Sequence, residues 1–414
     1  MATENKKYIP TLRFPEFQNN GEWKTDTMET IFDIKNGYTP SKSNSSFWDN
    51  GTIPWFRMED IRKNGHILSD SIQHVTPAAV KNAGLFAAYS IIVATTATIG
   101  EHALIIVDSL ANQQFTFLTK RKSFDNKLDM MYFHYFMFII DEWCKRNTNT
   151  GGLLSVNMDS FKKLTIPYPS SLSEQKKIAD CFVSIDKEID ATKRKLDLLK
   201  EHKRGLMQKL FPAKGKTLPE LRFPEFKNDV EWAYDYGDAL FDSIVNKNHN
   251  SGLPILAITQ ENGAVPRDMI NYRVVVEDKS IEGYKVVDIG DFIISLRTFQ
   301  GGIEYSTYKG ICSPAYIVLR KKHNNICNDF YRHYFKSFQY IQDLNRNIEG
   351  IRDGKMVSYK QFSEIKIPYP KYEEQCKVAN CLTSLDKEIN AIKDKIMALE
   401  LHKKGLMQQL FPKL

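Results

Sequence analysis

The chain has 414 residues, 57 Lys and Arg against 50 Asp and Glu, and a formal net charge of +7. Hydrophobic residues make up 42% and aromatics 12%. That excludes a collagen-like or disordered chain and leaves room for two to four structural units at roughly 100–200 residues each. The modest excess of positive charge suits an anionic partner such as nucleic acid, and equally a solvated surface.

The opening Met-Ala-Thr-Glu-Asn-Lys-Lys lacks the apolar stretch of a secretory signal, so a cytoplasmic location is expected. The six cysteines are Cys144, Cys181, Cys312, Cys327, Cys376 and Cys381; none forms a CxxC or a zinc-type Cys/His cluster, and free thiols are expected. The most apolar stretch, Met130 to Ile140, is too short to span a bilayer and reads as a buried helix.

The chain repeats itself. Leu12-Arg13-Phe14-Pro15-Glu16-Phe17, followed by Trp23, recurs as Leu221-Arg222-Phe223-Pro224-Glu225-Phe226, followed by Trp232, an offset of 209. Ile166-Pro167-Tyr168-Pro169 recurs at Ile367-Pro368-Tyr369-Pro370, an offset of 201. From Glu174 to Pro212, 23 of 39 positions are identical to their partners at an offset of 200. A period this long is a duplicated domain pair, not a solenoid. The 201 offset is read as constant from about Ile92 to the proline motif.

Before each repeat's end lies a mixed segment. Short β-rich runs, Ser90–Ala94 and Asp291–Ser295, are separated by Gly and Pro turns, and each copy carries one aromatic helical stretch, near 128–143 and 328–344. Each repeat then ends in a long helix, about 174–208 in the first copy. Ile178, Phe182, Ile185, Ile189, Leu196 and Leu199 alternate by fours and threes, with Thr192 and Lys203 in the gaps. The second copy shows Val378, Leu382, Leu385, Ile389, Ile392, Ile396 and Leu399, with Lys403 in the matching gap. These are heptads, and two equal stripes in one chain most simply bury each other. His202 and His402 hold equivalent helix positions and read as packing or capping residues. The expected fold is α+β: two mixed α/β domains, 1–169 and 214–371, with helical segments 170–213 and 372–414 forming an antiparallel coiled coil.

Catalytic motifs are missing. There is no Gly-rich P-loop. Ser313-Pro314-Ala315-Tyr316 lacks the second proline of an adenine-methylase motif, and Glu277-Asp278-Lys279 has no partner carboxylate at nuclease spacing. The polar loops, in contrast, differ between copies over a shared apolar scaffold. Thr96 aligns with Arg297, Asn112-Gln113-Gln114 with Ser313-Pro314-Ala315, and Thr150-Gly151-Gly152 with Ile351-Arg352-Asp353. Arg and Lys suit phosphates and guanine O6/N7, and Asn and Gln suit adenine N6/N7. The candidate DNA contacts are Lys42, Asn44, Arg57, Lys63, Asn112, Gln113 and Gln114 in the first copy. In the second they are Arg267, Arg273, Arg297, Gln300, Arg352 and Lys355. Gly301-Gly302 allows close approach of a ligand, or a plain hairpin turn.

These motifs together resemble the specificity subunit of type I restriction–modification systems. The resemblance rests on both Leu-Arg-Phe-Pro-Glu-Phe segments, Gly37-Tyr38-Thr39-Pro40-Ser41, Gly51-Thr52-Ile53-Pro54-Trp55, Leu296–Gly302, both Ile-Pro-Tyr-Pro strings and the two helix patterns. It implies two target-recognition domains joined by an antiparallel coiled coil. Each domain would read half of a split double-stranded DNA target, and the helices would set the gap. The helices would also dock two methyltransferase subunits, which recruit two motor-nuclease subunits. The chain would be non-catalytic, with no cofactor or metal of its own. S-adenosylmethionine would belong to the methyltransferase, and ATP and Mg to the motor. The competing readings are a stand-alone DNA methyltransferase or nuclease with an unrecognised site, and a coiled-coil scaffold that binds no DNA.

Overall fold

The computed structural model describes residues 8–81, 84–149, 154–249, 252–270, 278–348 and 357–414. Two compact units emerge. One comprises residues 1–192 with 395–414, the other residues 193–394. Each long helix therefore contributes to both units.

In the first unit a five-stranded sheet runs in the order Phe32–Asn36, Phe115–Lys120, Ser90–Ala94, His102–Ile105, Ile67–Leu68. Ser90–Ala94 and His102–Ile105 are buried at every position, which is why Ser90 and His102 are followed by apolar residues only and not by an alternating pattern. The 17-residue helix Met130–Arg146 packs behind this sheet, with Phe133 4.6 Å from Phe32. The second unit keeps the first four strand positions: Phe241–Ile244, Ile317–Lys321, Phe292–Ile294, Glu304–Tyr305. The registers match, since Ile91 pairs with Leu118 and Phe292 with Leu319.

The Ile-Pro-Tyr-Pro motifs are strands. Thr165–Tyr168 pairs with Lys24–Thr27, and Lys366–Tyr369 with Ala233–Tyr236, as two-stranded ladders. Each ladder has only edge strands, which is where a proline without an N–H is tolerated. The Leu-Arg-Phe-Pro-Glu-Phe segments form short 3-10 turns. Leu12 N–H donates to Gln409 O at 2.9 Å and Leu221 N–H to Lys209 O at 2.8 Å. Each copy's motif thus satisfies a terminal carbonyl of a long helix that has no partner within the helix itself.

The long helices run Leu172–Leu210 and Tyr372–Leu410, 39 residues each, two residues longer at each end of the first copy than the heptads mark. Within the first unit Phe182 stacks on Phe411 at 5.7 Å, Asp186 meets Lys403 and Glu188 meets Lys395. Rising positions on one helix meet falling positions on the other, so the packing is antiparallel. Within the second unit Lys203 meets Asp386 and Lys195 meets Glu388 in the same sense. Ile178, Phe182, Ile189, Val378, Leu382, Ile389, Ile392 and Ile396 are buried; Ile185, Leu196, Leu199, Leu385 and Leu399 are half-buried. The gaps in the stripe are used. Thr192 is buried and donates its hydroxyl to Glu188 O. Lys203 and Lys403 are seam ion pairs.

Three sequence expectations need correction. The offset is not constant at 201. The Gln175 side chain accepts from Asp129 N–H, and Gln375 accepts from Cys327 N–H, so the aromatic stretch aligns three residues earlier. Second, that stretch is one helix in the first copy but two in the second, Asn328–Tyr334 and Phe338–Ile348. Ser337 breaks it: its hydroxyl accepts from Tyr340 N–H, starting a new helix. Third, His202 and His402 are exposed. They lie on the outer helix face and do not pack.

Candidate nucleic-acid interface

In the first unit, one turn of chain after another converges on the end of Ser90–Ala94. Tyr38 N–H donates to Ala111 O, and Gly37 N–H to Phe115 O, both at 2.8 Å. A Cβ on Gly37 would run into Asn112 O and Ala111 O, so only glycine lets the loop lie this close. Two indoles hold the 38–41 stretch in place. Trp55 Nε1–H donates to Tyr38 O and Trp48 Nε1–H to Ser41 O, each at 3.0 Å. Thr39 donates its hydroxyl to Gln113 Oε1. Asn112 N–H donates to Phe56 O, and Thr95 N–H to Gln114 O. The segments 37–44, 56–57, 95–97 and 112–114 therefore form one surface. Ala97 sits there with φ +62°, a left-handed backbone that non-glycine residues adopt at a cost of about 1–3 kcal/mol and that clusters at functional sites.

Lys42, Asn44, Arg57, Asn112, Gln113 and Gln114 are brought together on this surface. Their availability differs. Lys42 and Gln113 are exposed. Asn44 Oδ1 is held in its own loop by Ser46 N–H and Ser46 Oγ–H. Asn112 and Gln114 bond each other, Nδ2–H to Oε1 at 3.2 Å and N–H to Oδ1 at 3.1 Å. Arg57 pairs with Glu59 at 3.0 Å and lies 5.8 Å from the Trp55 ring centre. Lys63 is exposed in the last turn of the Met58–Asn64 helix that Arg57 caps, about 9 Å along the axis from Arg57 at 1.5 Å per residue.

In the second unit Arg297 and Gln300 are exposed at the two ends of a short helix, Thr298–Gly301. Gly301–Gly302 is thus a helix end and not a plain hairpin turn. The helix is wedged. A Cβ on Gly301 would lie 2.8 Å from the Gln260 amide, and one on Gly302 would collide with Phe335 O. Gln260 Nε2–H also donates to Arg297 O at 3.4 Å. Gln260 begins the turn Gln260–Asn262 between paired strands Leu256–Thr259 and Gly263–Pro266. Sequence reasoning passed over that turn, although Asn262-Gly263 is a hairpin signal and Gly263 has φ +69°. Arg267 follows the far end of the same hairpin, half-buried with Nη1 enclosed. Arg273, Arg352 and Lys355 lie outside the described residues, as do Thr150-Gly151-Gly152 and Ile351-Arg352-Asp353. Among the described residues no cluster of three or more His, Cys, Asp or Glu could hold a metal, and no helix is long and apolar enough to cross a membrane.

Two units with the first four strand positions and their registers in common, differing in their exposed polar loops, make a duplicated domain pair. The comparisons give the family. Residues 20–201 and 235–401 match the "Type I restriction modification DNA specificity domain", and the chain belongs to that family. It is 48% identical over 152 residues to the EcoprrI specificity subunit of Escherichia coli, covering 37% of this chain and 38% of that one. It is 28% identical over 268 residues to the putative MjaX specificity subunit of Methanocaldococcus jannaschii, covering 62% and 60%. The aligned stretches thus span less than two thirds of both relatives. The fold is similar to that of the type I restriction–modification S subunit of M. genitalium, with TM-score 0.58 and 16% identity over 98% of this chain and 99% of that one.

Proposed function

We propose that this chain is the DNA specificity subunit of a type I restriction–modification complex. Residues 1–169 and 214–371 are its two recognition domains, each reading one half of a bipartite duplex target. The observation that carries this is the matched scaffold under unlike exposed loops: amides and hydroxyls around Gln113 in one unit, Arg297 and Gln300 in the other. Amides in the major groove suit adenine, and a guanidinium suits guanine or phosphate. The long helices set the length of unread DNA between half-sites and dock two methyltransferase subunits, which bring in two motor-nuclease subunits. S-adenosylmethionine, ATP and Mg act in those partners, and this chain does no bond-making of its own. Methylome sequencing of a host with and without the gene tests it. A split methylated motif that disappears with the gene is expected. Methylation by the isolated chain with S-adenosylmethionine would overturn the non-catalytic reading.

A further inference from the structure

All six cysteines are free, and two of them meet within the second unit. Cys327 is the N-cap of the Asn328–Tyr334 helix, and Cys376 lies near the start of the Tyr372–Leu410 helix. Gln375 ties the two segments together. Its Oε1 accepts from Cys327 N–H at 2.9 Å, and its Nε2–H donates to Asn325 O at 3.3 Å and to Pro370 O at 2.8 Å. Cys327 is thereby held against the residue next to Cys376, and the two thiols come within hydrogen-bonding range of each other. The Tyr372 hydroxyl reaches the Cys376 thiol from one turn back. Both cysteines are half-buried, whereas Cys144 and Cys312 are buried, so the facing pair is open to a small oxidant.

The scaffold does not require thiols here. With Gln175 and Gln375 as fixed points, the first copy has Asp129 where the second has Cys327, and Lys176 where it has Cys376. Leu172 stands for Tyr372. Asp129, Lys176 and Leu172 line one cleft, so these positions converge in both copies. Asp129 caps its helix, its carboxylate accepting from Tyr132 N–H at 2.8 Å. A thiol is a weak acceptor and a poor replacement for that oxygen. An acid and a base in one copy are thus exchanged together for two cysteines in the other, at some cost to the helix start. Burial pushes the Cys327 thiol up to about 11, so it rests protonated at neutral pH.

We propose that Cys327 and Cys376 are a peroxide-responsive thiol pair that closes a disulfide between the Asn328–Tyr334 helix and the start of the long helix. One sulfur attacks the peroxide: an S–O bond forms, the O–O bond breaks and water leaves, giving a sulfenic acid. The second sulfur then displaces that hydroxyl: the S–S bond forms, the S–O bond breaks and a second water leaves. The two thiols together give up two electrons and the peroxide takes them. A dithiol reductant reverses the bond by exchange. The cross-link closes a loop of about 50 residues and so restricts the unfolded chain. Oxidation therefore clamps the second unit's domain to its helix.

The test uses the full-length chain, purified reduced, treated with hydrogen peroxide and quenched by alkylation. Two of the six thiols should be lost and both recovered with dithiothreitol. A non-reducing peptide map should join the Cys327 peptide to the Cys376 peptide. The thermal midpoint of the oxidised chain should rise above that of the reduced chain. Cys327→Ser, whose hydroxyl can still cap the helix, should lose both the linkage and the rise. Cys381→Ser, on the same long helix as Cys376, should keep both. Absence of the joined peptide in the wild type overturns the proposal, as does a link from Cys376 to Cys381 or to a second chain in its place. The same thiol loss and midpoint rise in Cys327→Ser would overturn it too. So would a linked wild type whose midpoint does not rise, since the bond would then strain the fold and not clamp it.

Discussion

Arg13 grips Glu174 with two charge-assisted hydrogen bonds, Nε–H to Oε1 at 2.7 Å and Nη2–H to Oε2 at 2.8 Å. Arg222 repeats this grip on Glu374, both bonds at 2.8 Å. Both carboxylates are 1% exposed. The fork ties the start of each long helix to the Leu-Arg-Phe-Pro-Glu-Phe segment of its own copy. Removing one partner leaves an unpaired buried charge, so Arg13→Ala should cost about 3–5 kcal/mol, read by urea denaturation. Adding Glu174→Gln should recover part of the loss. A single-variant loss below about 1 kcal/mol would contradict the role given to this pair.

The helix seam gives a second prediction. Ile389 is 7% exposed, and Ile389→Asp should destabilise by about 2–5 kcal/mol through an unpaired buried carboxylate. An unchanged denaturation midpoint would mean that the seam at Ile389 is not closed in solution.

Acid should weaken the second unit through His333. Burial, with Lys203 and Arg332 nearby, holds its imidazole down to about 3 against the pull of Asp386, from an ordinary 6.5. The neutral ring's contribution is complete above about pH 6.5 and is lost as pH falls toward 3, because the unfolded chain takes the proton first. Wild type should therefore lose more stability than His333→Gln between pH 7 and 4.5, by up to about 1.4 kcal/mol per pH unit. Parallel stability curves would contradict this.

Much of the fold was legible in the sequence, because 23 identical positions in 39 and sustained heptads leave little freedom. Polar seam positions were legible only as gaps. Nothing local marks Lys203 for Asp386, which lies 183 residues away, or Arg13 for Glu174, 161 residues away. The three-residue shift in the aromatic stretch stayed hidden because it is fixed by side-chain bonds from Gln175 and Gln375. For the candidate interface, residue chemistry could be read but engagement could not. Asn44, Asn112 and Gln114 spend hydrogen-bonding capacity on their own loops, whereas Gln113 and Arg297 remain exposed.

The helices' proposed role as a spacer has its own test. Four residues inserted after Gln208 add about one helical turn, roughly 6 Å. At about 3.4 Å per base pair, the unread gap in the methylated motif should grow by one or two base pairs, with both half-sites unchanged. Methylation retained across the original gap would contradict the ruler.

The central claim, that each repeat reads its own half-site, is tested most directly by exchanging residues 1–169 for the equivalent domain of a relative and mapping the host methylome. The account predicts that one half of the motif changes and the other stays as it was. A motif altered in both halves, or in neither, would contradict it.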